Sequence, residues 1–304
     1  MKLIKPEAKL LIQKAGLNGV YEQIELAGRT CYKSEDKIQY DEQGNSLTAK
    51  GFVDRMIKSN HLAMLEHGTV YLTIPGESEP DEWGRVDYSP CYKGKYIGNK
   101  YSKVNYEYWN QEPTDTQKEF CMAIPRSKIH ITTNLRVLVE NGWLDDLKYI
   151  CEPTKFHEKR YTFKVTTSIG VTRELNRHRV NSIAESSTRY CNYSKDKFGN
   201  EVTFCLPNWI KTTEYAEIND EERIFFRNCR HAEYDYLELL NKGWQPQQAR
   251  EVLPLCTATE AVYTAFKSDW KHFFDLRYFE STGKVHPNMK ELATLMLKEC
   301  EKCN

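Results

Sequence analysis

Residues 160–190 constrain this fold more than any other stretch, because a strand pattern, a helix start and a dense polar cluster follow one another without a break. RYTFKVTTSI (160–169) alternates apolar and polar residues as a half-buried β-strand does. Gly170 is expected to end that strand. Thr172 is then expected to cap a helix through RELNRHR, which leaves Arg177, His178 and Arg179 near a helix end just beyond a sheet strand. Ligand sites favour such places. The fourteen residues RHRVNSIAESSTRY (177–190) hold three arginines, one imidazole, the Glu185 carboxylate and several hydroxyls. Guanidinium groups fix phosphate or carboxylate oxygens in bidentate geometry, and a Ser187 hydroxyl with backbone amides can complete an oxyanion cage. A carboxylate beside them can orient a ribose or base hydroxyl or amide, so the cluster suits a nucleotide. Taken alone, such a basic cluster is more often a solvated or salt-bridged helix end.

Charge separates the ligand classes. Lys plus Arg and Asp plus Glu both number 43 in 304 residues, so no global field attracts a long polyanion and polymeric nucleic acid is disfavoured. A small anion needs only a local basic pocket. The ten cysteines are scattered, and the opening MKLIKPEAKLLIQKAG carries no apolar leader, so reduced thiols in a cytoplasmic protein are expected. Cys300 and Cys303 have CxxC spacing but no second pair to complete a tetrahedron, so no metal is expected. Apolar runs are too short to span a bilayer, and no membrane segment is expected.

Periodicity shows both helix and strand patterns, as in an α+β chain, and the length suits one elaborated domain. Helical patterns cover 6–16, 19–32 and 48–59, and VYLTI (70–74) reads as a strand stopped by Pro75-Gly76. Residues 77–120 are rich in Tyr, Lys, Gly and Asp with no helical period, as in an irregular or β-ribbon insertion. A short strand and then a helix at NLRVLVENG are expected within 129–150. SIAESSTRY suits a tight loop, and CNYS, Gly199 and EVTFCL suggest a hairpin after it. Asn219, followed by three acidic residues, starts a helix that runs to Lys242 and stops at Gly243. Pro246 opens a short helix that Pro254 ends, and two more helices are expected at 268–279 and 287–300.

There is no G-x-G-x-x-G and no G-x-x-x-x-G-K-[ST], so a dinucleotide or triphosphate would be held outside the Rossmann and P-loop designs. Ser187 lies in no G-x-S-x-G elbow, which leaves hydrogen bonding as its expected work. RHR, seven residues, Ser, then x-Arg-Tyr resembles the signature of the flavin-dependent thymidylate synthases, also called the thymidylate synthase complementing family. His61 with Glu66-His67 resembles the family's upstream histidine segment, QQAREVLP (247–254) its second arginine block and WKHFFDLR (270–277) its third. The resemblance covers 17–75 and 160–300, and implies an α+β fold of mixed helices around a central antiparallel β-sheet in one synthase domain spanning 1–304, with an insertion at about 76–159.

The resemblance implies reductive methylation of dUMP to dTMP, with methylenetetrahydrofolate as carbon donor, FAD as hydride carrier and NADPH as reductant, in a homotetramer whose sites use several subunits. It implies Arg277 and Ser187 as the catalytic residues, with Arg277 stabilising negative charge that develops on the uracil. By matching position, Glu174, Arg177, Glu185, Ser186, Ser187, Thr188, Arg189, Arg250 and Arg277 would bind dUMP, with Arg189 and Arg250 best suited to the phosphate. His61, Arg177, His178, Arg179, Glu185 and His272 would contact FAD. His67 reads better as a packing residue.

This chain has Glu174 where some members have Gln, Asn176 where they have a bulky apolar residue, Thr188 where Gly is frequent and His272 where some have Asn. Three other readings compete. A cysteine-dependent thymidylate synthase needs a nucleophile, normally in Pro-Cys-His, and here Pro90-Cys91 is followed by Tyr92. A metal hydrolase built on His61, His67 and His178 lacks an HExxH or HD pair. A non-enzymatic nucleotide or RNA-binding module would use the 19 tyrosines as stacking surfaces, against which charge neutrality weighs.

Overall fold

A computed structural model describes residues 1–75, 93–109, 126–213 and 217–302. Two short strands open the chain, β1 (Lys2–Ile4) and β2 (Glu7–Leu11), where the sequence pattern suggested a helix over 6–16. The reason is tertiary: β2 pairs antiparallel with β6 (Arg160–Ser168) from Glu7↔Thr166 to Leu11↔Thr162, and Leu10 is buried against Phe163. Five paired residues override a weak helical preference. Helix α1 (Gly16–Tyr32) and helix α2 (Ala49–Lys58) then form as their periodicity predicts.

β3 (Thr69–Pro75), a one-turn helix α3 (Lys93–Tyr96), β4 (Lys103–Trp109) and β5 (Arg126–Asn134) follow, and β5 runs directly into α4 (Leu135–Asn141). The Asn134 side chain caps α4 by accepting from the Val137 amide, and Gly142 closes it in a left-handed conformation at φ 70°. Beyond β6 come α5 (Ile169–Leu175), β7 (Ser182–Glu185), β8 (Thr203–Cys205), α6 (Asp220–Asn241) and α7 (Pro246–Ala249). β9 (Ala258–Phe266), α8 (Lys267–Arg277) and α9 (Pro287–Glu301) complete the chain. Like β5, both β6 and β9 pass into their helices with no intervening residue.

The sequence signals for α6 are met in full: the Asn219 side chain accepts from the Glu222 amide while the Glu222 carboxylate accepts from the Asn219 amide. Two expectations are corrected. Residues 182–185 of the predicted loop form β7, because they pair antiparallel with β9 from Ser182↔Thr264 to Glu185↔Ala261. The predicted hairpin near EVTFCL is instead a parallel pair, β8 with β1, from Lys2↔Thr203 to Ile4↔Cys205. No local pattern announces a partner two hundred residues away.

The fold class is α+β, and the chain divides into two compact units. The first comprises Met1–Ile12, Leu26–Ile38 and Tyr161–Asn304. It holds the β1-β8 pair and the four-stranded sheet β2-β6-β9-β7. Its core packs Phe163 and Val165 of β6, Ala261 and Tyr263 of β9, and Trp270 and Phe273 of α8 against Met289, Leu292 and Met296 of α9. β9 is buried on both faces from Ala261 onward, so it shows no alternation, and the sequence pattern did not mark it.

The second unit comprises Gln13–Glu25 and Gln39–Arg160, and contains all the described residues of the expected 76–159 insertion. Its sheet, β3-β5-β4, is antiparallel throughout. Gly68, just before β3, packs tightly against α1. A Cβ there would lie 2.6 Å from Ile24 Cδ1 and 2.7 Å from Val20 Cγ1. Among the described residues no helix is long and apolar enough to cross a membrane.

Candidate functional site

The helix leading to the RHR turn is set by Ser168, not Thr172. The Ser168 hydroxyl accepts from the Val171 amide at 3.3 Å, and the Ile169 and Gly170 amides donate to the carbonyls of Thr257 and Leu255 at 3.0 and 2.9 Å. These bonds satisfy the first N–H groups of α5, so Gly170 sits inside the helix rather than ending the strand. α5 also stops at Leu175, before the RHR sequence. Arg177 and His178 continue as turns, with their amides donating to the carbonyls of Glu174 and Leu175. Arg177 and Arg179 are exposed on this turn and His178 is half-buried between them.

Arg277, in the last turn of α8, reaches this turn from a point 99 residues later in the chain. Its Nε donates to His178 Nε2 at 3.1 Å, one terminal nitrogen lies 3.4 Å from a Glu174 carboxylate oxygen, and the other lies 3.5 Å from the Glu174 carbonyl. The Nε2 lone pair is thereby occupied, which places the imidazole proton on Nδ1. Burial, then the positive charges of Arg277 and His272, depress the His178 pKa to about 4. The ring packs edge-on to Phe273 at 5.0 Å. His272 is exposed on α8.

A second constellation lies on the loop after β7. The Ser186 amide donates to the Glu260 carbonyl at 2.7 Å and the Glu260 amide returns a bond to the Ser186 hydroxyl at 3.1 Å, clamping the loop to β9. The Ser187 amide donates to the Cys31 carbonyl at 2.9 Å, and its hydroxyl accepts from the Arg189 amide at 3.3 Å. Arg250, in the turn after α7, donates to the Thr188 hydroxyl at 2.9 Å. Arg189 is exposed, its guanidinium 5.4 Å from the Tyr190 ring centroid. The loop thus brings Ser187, Thr188, Arg189 and Arg250 together as a basic, hydroxyl-bearing edge.

Glu185 is tied back to the helix. Its carboxylate accepts from the Thr172 hydroxyl at 2.8 Å, and that hydroxyl also contacts the Ile169 carbonyl at 3.0 Å. Asn176, a departure from the family pattern, accepts from the buried Tyr263 hydroxyl at 2.8 Å. A polar partner for Tyr263 is the physical reason an apolar residue would be out of place there.

Sequence reasoning missed the charge cluster beneath this loop. Glu260 is bridged by Lys33 and by Lys164 (2.9 Å), and Lys164 also reaches Glu35 at 3.2 Å. Burial alone would raise the Glu260 carboxyl, but the two lysines hold it below its usual range. Lys33 adopts a left-handed backbone at φ 50°, which no sequence signal marks for a lysine. Lys33, Glu35 and Glu260 line a cavity of about 590 Å3, and of the expected site residues only Ser186 borders it. This cavity is therefore distinct from the arginine-lined surface.

Of the remaining expected residues, His61 belongs to the second unit, where it precedes a 3-10 turn at Leu62–His67. His67 is fully buried there, in keeping with the packing role preferred for it. Pro90-Cys91-Tyr92 and Cys303 lie outside the described residues.

A family model described as thymidylate synthase complementing protein matches residues 107–303. The chain belongs to this family. A flavin-dependent thymidylate synthase from Pyrococcus furiosus is 29% identical over 147 residues, which are 47% of this chain and 54% of the relative. One from Pyrococcus horikoshii is 31% identical over 143 residues, 47% of this chain and 55% of the relative. The chain spans about half the length of the curated relatives it matches. A crystal structure of a UMP/dUMP methylase, PolB from Streptomyces cacaoi with 5-Br dUMP, aligns at a TM-score of 0.42 and 18% identity, covering 99% of this chain and 93% of that one. A likeness at that score carries no weight beyond the family match.

Proposed function

We propose that this chain converts dUMP to dTMP as a flavin-dependent thymidylate synthase, taking its carbon from methylenetetrahydrofolate and its reducing equivalents from NADPH. The observation that carries this reading is the 3.1 Å contact of Arg277 with His178, which joins two sequence blocks that each resemble the family. The donor set suits FAD: two exposed guanidiniums, Arg177 and Arg179, flank a half-buried neutral imidazole, a combination that binds a pyrophosphate and hydrogen-bonds a flavin ring. When bound, FAD supplies the hydride chemistry, which no protein side chain can provide.

The chain's own residues then bind and polarise the substrate. Arg189 and Arg250 grip the dUMP phosphate, aided by the Ser187 hydroxyl, and Thr188 holds Arg250 to the loop. Arg277 faces the uracil and stabilises negative charge as it develops there. Its guanidinium is fixed by His178 and Glu174, so little reorganisation accompanies the chemical step. Because His178 is held neutral, the positive charge beside the pyrimidine is that of Arg277. Ser187 acts by hydrogen bonding and forms no covalent bond. The active form is a homotetramer with sites completed by more than one subunit, working in the cytoplasm.

Tritium release from C5-labelled dUMP, with methylenetetrahydrofolate and NADPH and with flavin first stripped and then restored, tests the proposal. Release that depends on FAD supports it. Release without flavin points to a cysteine nucleophile, and no release from a folded oligomer leaves a nucleotide-binding scaffold.

A further inference from the structure

Cys229 and Cys256 stand 27 residues apart in sequence, yet their sulfurs lie 3.6 Å from each other in the first unit. Cys229 projects from α6 into a core with Val202, Phe204, Tyr236 and Ala249, and is completely buried. Cys256 packs against the same core and is partly exposed. A disulfide has an S–S bond of about 2.0 Å, so closing this gap is a displacement on the scale of a side-chain torsion.

The backbone around Cys256 is held on every side. Its carbonyl accepts from the Cys205 amide at 2.8 Å, and the Thr257 amide donates to the Pro254 carbonyl at 2.9 Å. The flanking carbonyls of Leu255 and Thr257 are the ones that receive the first amides of α5. Cys256 therefore sits at a fixed point between the turn carrying Arg250 and the helix carrying Glu174. A thiol pair held this rigidly has a high effective concentration for ring closure.

We propose that Cys229 and Cys256 form a reversible dithiol–disulfide site, with Cys256 as the attacking sulfur and Cys229 as the resolving one. The oxidant is a small organic disulfide such as oxidised glutathione. The Cys256 thiolate attacks one of its sulfurs, forming a mixed disulfide and expelling one small thiolate. The Cys229 sulfur then attacks Cys256 Sγ and expels the second. Two protein S–H bonds are replaced by one S–S bond, the two protons pass to the released thiolates, and the small disulfide is reduced to two thiols. The order follows from access, since only Cys256 is partly exposed. The hydrogen bond between the two sulfurs acts in the same direction, lowering the Cys256 thiol and raising that of Cys229.

The full chain is equilibrated with oxidised and reduced glutathione over a range of ratios, quenched with an alkylating agent and mapped by peptide mass spectrometry. The expected product has lost two hydrogens in mass and two alkylatable thiols, carries a Cys229–Cys256 cross-linked peptide and returns to the dithiol on reduction. In C229S the mixed disulfide on Cys256 should persist instead of resolving. The proposal is overturned if both thiols of the unmodified chain stay alkylatable at the most oxidising ratio. A bridge from Cys256 to Cys205, or a Cys256–glutathione adduct that accumulates while Cys229 is intact, overturns it equally. None of these outcomes depends on synthase activity.

Discussion

In the proposed reaction four side chains carry the chemistry at the residue scale, and each has a separable signature. If Arg277 stabilises the developing anion as proposed, Arg277→Ala should lower kcat by about 10²- to 10³-fold in steady-state assays, as when an oxyanion-stabilising donor is removed. Arg277→Lys should rescue little, because an ammonium cannot hold His178 and Glu174 together in one plane. Arg189→Ala should chiefly raise the dUMP KM, since its proposed part is ground-state grip on the phosphate. Ser187→Ala should weaken turnover without abolishing it, and a trapped adduct on Ser187 would contradict that role. His178 is a titration marker. Its folded pKa of about 4 lies below the ordinary 6.5, so the unfolded chain binds the proton more readily. The stabilising contribution is complete above about pH 6.5 and is lost as pH falls toward 4. Urea midpoints measured across that window should drop less steeply for His178→Asn than for the parent chain.

The elements show what local pattern encodes and what it leaves to distant partners. Asn219 and Pro246 mark their helices plainly, because caps act within one turn. The 6–16 segment becomes a strand only because β6 offers it an edge, and β9 escapes notice because burial on both faces erases its alternation. The candidate site divides the same way. Its arginines and Ser187 are legible as a motif, whereas Thr172 holding Glu185 and the lysine clamp on Glu260 depend on contacts between segments 13 and more residues apart. Two substitutions test this level. Ser168→Ala should cost about 1 kcal/mol in urea denaturation by removing the α5 cap. Gly68→Ala should cost about 1–3 kcal/mol, because its methyl group would meet Ile24 and Val20 at less than van der Waals separation.

For the molecule as a whole, charge and assembly matter most. With 43 basic and 43 acidic residues and a pI near 7.1, repulsion between copies is weak at neutral pH. Light scattering should report a tetramer, and a monomer with full activity would refute the proposed sharing of sites between subunits. The whole-chain pattern also explains why the family is easier to read than the topology. RHR and its partner blocks are short and contiguous, but the β1-β8 pairing joins Lys2–Ile4 to Thr203–Cys205 and leaves no local trace. β6 runs directly into α5, and β9 directly into α8. Neither junction has slack, so an inserted or deleted residue at Phe266–Lys267 would turn α8 by about 100° and swing Arg277 off the face that meets His178. Length variation should therefore be confined to segments away from these two seams. A scan of single-codon insertions should find the seams intolerant even where each neighbouring side chain accepts substitution.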